Sequence, residues 1–475
     1  MVLSIGVNKK GAGKVLMKKW DEKRVLWVLF LGSLVIRIIY VVFANANPIA
    51  HGQDIIKLHD DQASYWQFAE AFLRDISWMS EDVSYRPPGY PMFLALVAAL
   101  IGLGKNFINV MLVQSVLSAL TVVFIFKLAA LTFNRATALL SALWAAVFMQ
   151  YLYYCGFILR ETLEILLFLL FVYCLIMYLQ EARKVFVIIG AIIYALLIHI
   201  DPRYLFHLPF VFLYFYLGLR NSKKTLKVYL YFVFIVIICS LPWGIRNHIV
   251  YKGKFVLINT RTLDKWTAKV MNDSGLGVKS GKVVNVIEKP ETLKAFEDLK
   301  RKAILEYQNK SSTVGGINNH PPIENRPYYI IIKSEEELKA FNRGIRPAYA
   351  IPGIYWNRFK EFWRFARFRP GYDEYSDLRF EGVWSFKHNL IGILTSGFLY
   401  PFFIIGVFFC LAFYFSHKNN YGLILFVIIF VHSLLHVLVH ARERYRLPME
   451  ALIAMLAFYA ITMWGSRYLA RRRKA

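Results

Sequence analysis

Two adjacent carboxylates, Asp60 and Asp61, stand in the stretch His59-Asp60-Asp61-Gln62-Ala63-Ser64-Tyr65. A carboxylate in such a place can serve as a general base toward a hydroxyl or an amine. A pair can also hold a divalent cation, or simply cap the helix that begins there. A cation on a stiff corner follows, in Arg86-Pro87-Pro88-Gly89-Tyr90-Pro91. Two fixed φ angles restrict that backbone, and a guanidinium held there suits a phosphate at headgroup depth. The plainer reading is an interfacial Arg resting on lipid headgroups. A third group, His440-Ala441-Arg442-Glu443-Arg444-Tyr445-Arg446-Leu447-Pro448, gathers His440, Arg442, Arg444 and Arg446 at one corner. Further ionisable residues stand at Arg160-Glu161, at His199-Ile200-Asp201-Pro202-Arg203 and at Pro242-Trp243-Gly244-Ile245-Arg246-Asn247. Facing a cavity, such groups act in chemistry; facing headgroups, they anchor.

The elements that must position these residues are membrane spans. The chain of 475 residues is 57% hydrophobic and 17% aromatic, beyond the usual ~45–50% apolar content of soluble domains. Apolar runs fall near 25–44, 107–127, 136–154, 161–180, 184–200, 204–219, 225–246, 390–415, 421–439 and 447–466. The expected class is an all-α polytopic membrane protein with about ten transmembrane helices. The net charge is +26, but Lys and Arg cluster in short loops between spans. That is the positive-inside pattern rather than a nucleic-acid footprint. The four Cys, Cys155, Cys174 and Cys410 among them, lie in or beside apolar runs and read as buried thiols. The basic, polar start up to Arg24, followed by a long apolar run, reads as lacking a cleavable signal peptide.

Charge also settles segment 88–103. If it does not cross, Lys127/Arg135, Arg183/Lys184, Arg220/Lys223/Lys224, His417/Lys418 and Arg471-Arg472-Arg473-Lys474 share the cytoplasmic side with the N-terminus. If it crosses, most of these clusters lie outside, against the bias. The segment is therefore expected to be an interfacial or re-entrant helix. The outer face then holds loop 45–106, segment 247–389 and the corner at 440–448. Within 247–389, residues 291–309 read as an amphipathic helix and 311–327 as a loop. Residues 354–368, with Tyr355, Trp356, Phe359, Phe362, Trp363, Phe365 and Phe368 among basic residues, read as a helix in the headgroup layer. No internal repeat, P-loop or dinucleotide fingerprint is present. Three divisions follow: a core at 1–246, an outer region at 247–389 and C-terminal helices at 390–475.

Four motifs in order, Asp61-x-x-x-Tyr65-x-x-x-Ala69, Arg86-Pro87-Pro88-Gly89-Tyr90-Pro91, Pro242-Trp243-x-x-Arg246-Asn247 and His440…Arg444-Tyr445-Arg446-x-Pro448, resemble the polyprenyl-phosphate-sugar-dependent transferases of glycosyltransferase superfamily C. The branch is similar to the protein O-mannosyltransferase and lipid A aminoarabinose transferase group. The resemblance covers nearly the whole chain apart from 260–350. It implies a glycosyltransferase C-type fold, with juxtamembrane helices in the first outer loop and a mixed outer segment. It implies that Asp61 activates the acceptor, with Asp60 beside it, that Arg86 meets the donor phosphate, and that Glu161 is the acidic residue of the second outer corner. Where family members often carry Asp-Glu, this chain has Asp60-Asp61 followed by Gln62.

The expected activity is inverting transfer of a sugar from a polyprenyl-phosphate donor to a protein, glycolipid or polysaccharide acceptor. It would occur on the extracytoplasmic face of the plasma (inner) membrane. Asp61 and Asp60 would be catalytic, and Arg86, Arg442, Arg444, Arg446 and His440 would bind the donor phosphate. Tyr65, Tyr90, Arg160, Glu161, Arg203 and Arg246 would bind substrate or support the site. No cofactor is assigned from the sequence; a divalent metal could sit at Asp60, Asp61 and Glu161. The expected partners are the lipid-linked sugar, an extracytoplasmic acceptor and the bilayer, with no nucleic acid. A flippase for lipid-linked sugars would want charges near the midplane and repeat symmetry, and a polysaccharide ligase or polymerase need not use a first-loop acid.

Overall fold

A computed structural model describes residues 21–50, 60–74, 79, 86–103, 107–250, 286–287, 330–331, 355–356, 358–360, 362–363, 396–416, 421–439 and 443–472. The chain divides into two units, one comprising 1–260, 364–435 and 443–475, the other 261–363 and 436–442.

The first unit is helical. Its described elements are α1 (Glu22–Ala50), α2 (Asp60–Arg74), α3 (Gly89–Ile101), α4 (Ile108–Thr132), α5 (Arg135–Val147), α6 (Met149–Tyr153), α7 (Glu161–Glu181), α8 (Lys184–Ile200), α9 (Tyr204–Leu219), α10 (Ser222–Val250), α11 (Leu399–Ser416), α12 (Tyr421–Val439, whose last turn belongs to the second unit) and α13 (Leu447–Arg472). Helices dominate because a chain in hydrocarbon must satisfy every backbone N–H and C=O internally. Local signals set several ends. Asn134 caps α5 by accepting the Thr137 N–H at 2.9 Å. Glu161 and Glu164 place negative charge in the first turn of α7.

By length and composition, six helices among the described residues suffice to cross a membrane: α1, α4, α7, α10, α12 and α13. The chain is a multi-pass membrane protein. α5 and α6 form a bent pair, turned by 49°, that makes a seventh crossing if it is one span. α8, α9 and α11 are shorter apolar helices, and about ten spans are reached only by counting them. α3 is about 20 Å long at 1.5 Å per residue, short of a ~30 Å hydrocarbon core. It lies against α2, where Tyr65, Ala69, Tyr90, Leu94, Ala95 and Val97 form one apolar cluster. At its start, a Cβ on Gly89 would meet Ile200 Cγ1 at 2.9 Å and the His199 carbonyl oxygen at 3.0 Å, so the α3 backbone rests directly on the end of α8.

The core runs along α4 and α13. Leu447 and Met449 through Ala457 of α13 are buried without interruption. α11 packs so closely on this helix that a Cβ on Gly406 would meet the Leu456 carbonyl oxygen at 2.1 Å. Cys155, Cys174 and Cys410 are buried free thiols, as expected; Cys239, on α10, is exposed.

The run 136–154, read as one continuous span, is broken at Phe148, whose extended backbone separates α5 from α6. A break inside a membrane frees carbonyls that lipid cannot satisfy. Arg37 of α1, fully buried, supplies donors: Nη1 to the Ala146 oxygen at 3.1 Å, Nη2 to the Ala145 oxygen at 3.2 Å and Nε to Ser118 Oγ at 2.7 Å. Arg37→Leu should strand these acceptors at about 1–3 kcal/mol for each group left buried and unpaired. We expect a loss of about 2–4 kcal/mol, seen as a lower melting temperature in detergent; an unchanged midpoint would mean that the break satisfies itself.

In the second unit, strands β1 (Val286–Ile287) and β2 (Ile330–Ile331) pair in parallel. Near 358–362 the chain is helical; Arg358 donates to the Leu438 carbonyl oxygen at 2.7 Å, and the Phe362 ring stacks on His436 at 5.6 Å. Trp356 and Phe359 are exposed and stacked 5.6 Å apart. The helix expected at 291–309 and the loop at 311–327 lie outside the described residues.

Candidate active site

The site forms where one end of α2 meets the starts of α3, α7 and α9, the end of α8, and a 3-10 turn, Glu443–Arg446, that leads into α13. α2 begins at Asp60. Its orientation is fixed by Gln62, whose Oε1 accepts the Ile158 N–H at 3.0 Å, and by the edge-on contact of Tyr65 with Tyr90, 5.0 Å between centroids. Tyr90 in turn donates to Gln114 Oε1 at 2.8 Å. Gln114 Nε2 donates to the carbonyls of Cys155 at 3.1 Å and Phe157 at 2.7 Å. One amide in the middle of the fold thus ties α3, α4 and the approach to α7 together.

On this frame, Asp61 faces two cations. Arg86 Nη2 donates to one carboxylate oxygen, and Arg444 Nη2 donates to the other at 3.0 Å. Arg86 Nε also donates to Ser64 Oγ at 3.0 Å, and its guanidinium lies over the Tyr65 ring, 5.0 Å from the centroid. Arg444 reaches Glu161 as well, Nη1 to Oε1 at 3.7 Å. The second oxygen of Glu161 is buried and accepts no hydrogen bond among the described residues. Asp61 and Arg444, 383 apart in sequence, therefore meet here.

Burial alone would raise the Asp61 carboxyl, but Arg444 and Arg86 more than offset it and hold the group at about 2. Tyr65 behaves oppositely: burial pushes its phenol up to about 12, so it stays protonated and cannot serve as a base near neutral pH.

Behind this group lies a second, fully buried one. Arg160 Nη2 donates to Asp201 Oδ2 at 2.8 Å and Nη1 to the Ile200 carbonyl at 3.0 Å, while its Nε lies 3.6 Å from Glu164 Oε2. Arg203 also clasps Asp201, Nε lying 2.9 and 2.7 Å from the two oxygens. Tyr204 donates to Glu164 Oε1 at 3.1 Å.

The structure thus brings Asp61, Arg86, Arg444 and Glu161 into one group, with Tyr65 against it. Tyr90, Arg160 and Arg203 stand behind as supports. Arg446 is turned away. Its Nε donates to Glu450 Oε1 at 2.7 Å, and its guanidinium sits 5.6 Å from the Tyr400 centroid, so its charge is met inside the bundle. Arg246 engages its neighbours, donating to Asn247 Oδ1 at 2.9 Å and lying over Trp243. His440, Arg442 and the Asp60 side chain lie outside the described residues. Sequence reasoning passed over Gln62, Ser64, Gln114, Glu164, Tyr204 and Tyr445. Two of these carried a signal: Gln114 is an amide well inside an apolar run, and Glu164 is an acid inside a span.

The divalent-metal expectation does not fit this donor set. Arg444 stands between the carboxylates of Asp61 and Glu161, and Arg86 occupies the other Asp61 oxygen. A cation would meet two guanidinium charges there.

Residues 85–245, which hold Arg86, Glu161 and Asp201, match the dolichyl-phosphate-mannose-protein mannosyltransferase family model. The structure is similar to the apo oligosaccharyltransferase of Archaeoglobus fulgidus, with TM-score 0.52 and 14% identity over 96% of this chain. It is similarly related, with TM-score 0.50 and 11% identity over 96% of this chain, to the A. fulgidus oligosaccharyltransferase AglB in complex with an inhibitory peptide and a dolichol-phosphate. The chain has the fold of superfamily-C glycosyltransferases. It spans 52% of the length of each of these structures. No curated protein matches it in sequence. The matched stretch runs from the Arg86 corner into α10 and contains α3, α7, α8 and α9, four of the six elements that meet at the charged group.

Proposed function

We propose that the chain is an inverting glycosyltransferase that moves a sugar from a polyprenyl-phosphate donor to an acceptor on the extracytoplasmic face of the plasma membrane. The observation that carries this reading is the convergence of Arg86 and Arg444 on the two oxygens of Asp61. A carboxylate held between two guanidiniums presents anionic oxygens where a phosphate would present its own. Asp61 therefore sits where the donor phosphate would lie between Arg86 and Arg444. When the donor enters, its phosphate takes over Arg86 and Arg444 and releases Asp61 toward the acceptor. The guanidiniums then oppose the charge that grows on the departing phosphate as the C1–O bond breaks. Asp61 takes the acceptor proton while the acceptor attacks C1 from the opposite face, which inverts the configuration. Residues 1–246 and 390–475 serve donor chemistry in this reading, and 247–389 shapes the acceptor side. Analysis of product anomers tests the displacement: inversion is expected, and retention contradicts it.

Release of Asp61 has a pH signature. The kcat/KM profile reports the free enzyme and the kcat profile the substrate complex. With its cations drawn to phosphate, Asp61 should titrate higher, so the acid limb of kcat should lie about 1–3 pH units above that of kcat/KM. Coincident limbs would show that the donor leaves Asp61 as it was. Stability follows the free protein. The folded value of about 2 lies below the ordinary one, so ionised Asp61 favours folding. That contribution is complete above about pH 4 and is lost as pH falls through about 2.

A further inference from the structure

Arg444 is a long side chain on a four-residue 3-10 turn, Glu443–Arg446, and something must aim it. The adjacent Tyr445 is gripped from three sides. Its carbonyl oxygen accepts from His432 Nε2 at 2.7 Å. Its ring lies under the Arg203 guanidinium, 3.5 Å from the centroid. The Arg444 guanidinium rests near the same ring at 5.4 Å. Arg203 is itself fixed by Asp201, which is 1% exposed and also receives Arg160. An unbroken series of contacts therefore runs from the junction of α8 and α9 to the group that faces Asp61.

We propose that Tyr445 is a positioning residue for donor binding. Its ring, clamped by Arg203 on the Asp201 carboxylate, fixes the turn so that the Arg444 guanidinium points at the donor phosphate. This rests on the reading of Arg444 as a phosphate ligand. The ring face is what Arg203 uses, so a substitution that keeps an aromatic face keeps the clamp. Tyr445 touches neither donor nor acceptor in this scheme and acts only through Arg444.

The test is titration of the full chain in nanodiscs with polyprenyl monophosphate, read by native mass spectrometry, with melting temperatures taken in parallel. Tyr445→Phe should bind within about twofold of the parent, and Tyr445→Leu should bind roughly tenfold more weakly, the scale of a desolvated cation–π contact. Arg444→Ala should lose at least as much, and the Arg444→Ala/Tyr445→Leu double variant should lose no more than Arg444→Ala alone. Losses that multiply in the double variant would overturn the proposal, because Tyr445 would then act independently of Arg444. So would unchanged binding in Tyr445→Leu when Arg444→Ala binds weakly, an outcome that leaves the donor reading intact. Parent-like binding in Arg444→Ala would remove Arg444 from the donor site and the positioning role with it. If Tyr445→Leu does not fold, Asp201→Asn/Arg203→Gln, which removes both charges together, carries the same expectation.

Discussion

Asp61→Asn should lower turnover by about 10²–10⁴-fold, the usual cost of losing one positioned general base. Asn keeps the shape, and its single carbonyl oxygen can still accept from one of the two guanidiniums; Gln62 and Tyr65 still hold α2, so the fold should survive. It cannot take the acceptor proton. The same substitution should act in the opposite direction on the donor. In the parent chain the phosphate must displace a carboxylate bound on both oxygens; in Asp61→Asn it competes only with a neutral amide. Slower chemistry together with tighter donor binding is a combination that general damage to the site does not produce. Full turnover in a folded Asp61→Asn protein would remove Asp61 as the base.

The second large effect belongs to the cations. Hydrogen bonds to charged groups are worth about 1.5–3 kcal/mol each, so Arg86→Ala or Arg444→Ala should weaken polyprenyl phosphate binding roughly 10–150-fold. Turnover should fall further than affinity, because the phosphate carries more charge in the transition state than in the bound donor. Lys should restore only part of the loss, since a guanidinium spans two acceptors, as Arg444 does between Asp61 and Glu161, and an ammonium is a point charge. Steady-state kinetics with a matched donor and acceptor would check this; weaker affinity with kcat unchanged would mean that the cations hold the bound donor and the transition state equally.

Much of this arrangement was legible in the sequence because its physics is local. Apolar runs long enough to cross, Lys and Arg on one side of them, and a Pro-Pro corner behind Arg86 each follow from a few neighbouring residues. Charge in the later loops leads to an interfacial or re-entrant helix at 88–103, and α3 is a short apolar helix that ends at Ile101. Other features depend on distant partners. Nothing in 136–154 announces a break at Phe148; the partner that makes it tolerable, Arg37, stands 109 residues before the carbonyl of Ala146. A cation alone in the first apolar run was the available hint.

The corner at 440–448 shows a different limit. Arg444 and Arg446 are equivalent as letters, and both were assigned to phosphate. In a 3-10 turn, with three residues per turn, positions two apart cannot share a face. Arg444 therefore meets Asp61 while Arg446 meets Glu450. Conversely, Arg160 and Arg203 read as separate supporting residues, and their geometry joins both on Asp201 in one buried support. Which carboxylate pairs with which cation decides between a metal reading and a phosphate reading, and pairing across the fold is set by helix packing that no local pattern encodes.

The measurement closest to the central claim is a comparison of polyprenyl monophosphate affinity between the parent chain and Asp61→Asn in nanodiscs, against bulk anionic phospholipid as competitor. The account predicts specific binding by both proteins, with the Asn protein binding more tightly because Asp61 no longer competes for Arg86 and Arg444. Equal or weaker binding by Asp61→Asn, or no preference over bulk phospholipid in either, would contradict the exchange of carboxylate for phosphate on which the mechanism rests.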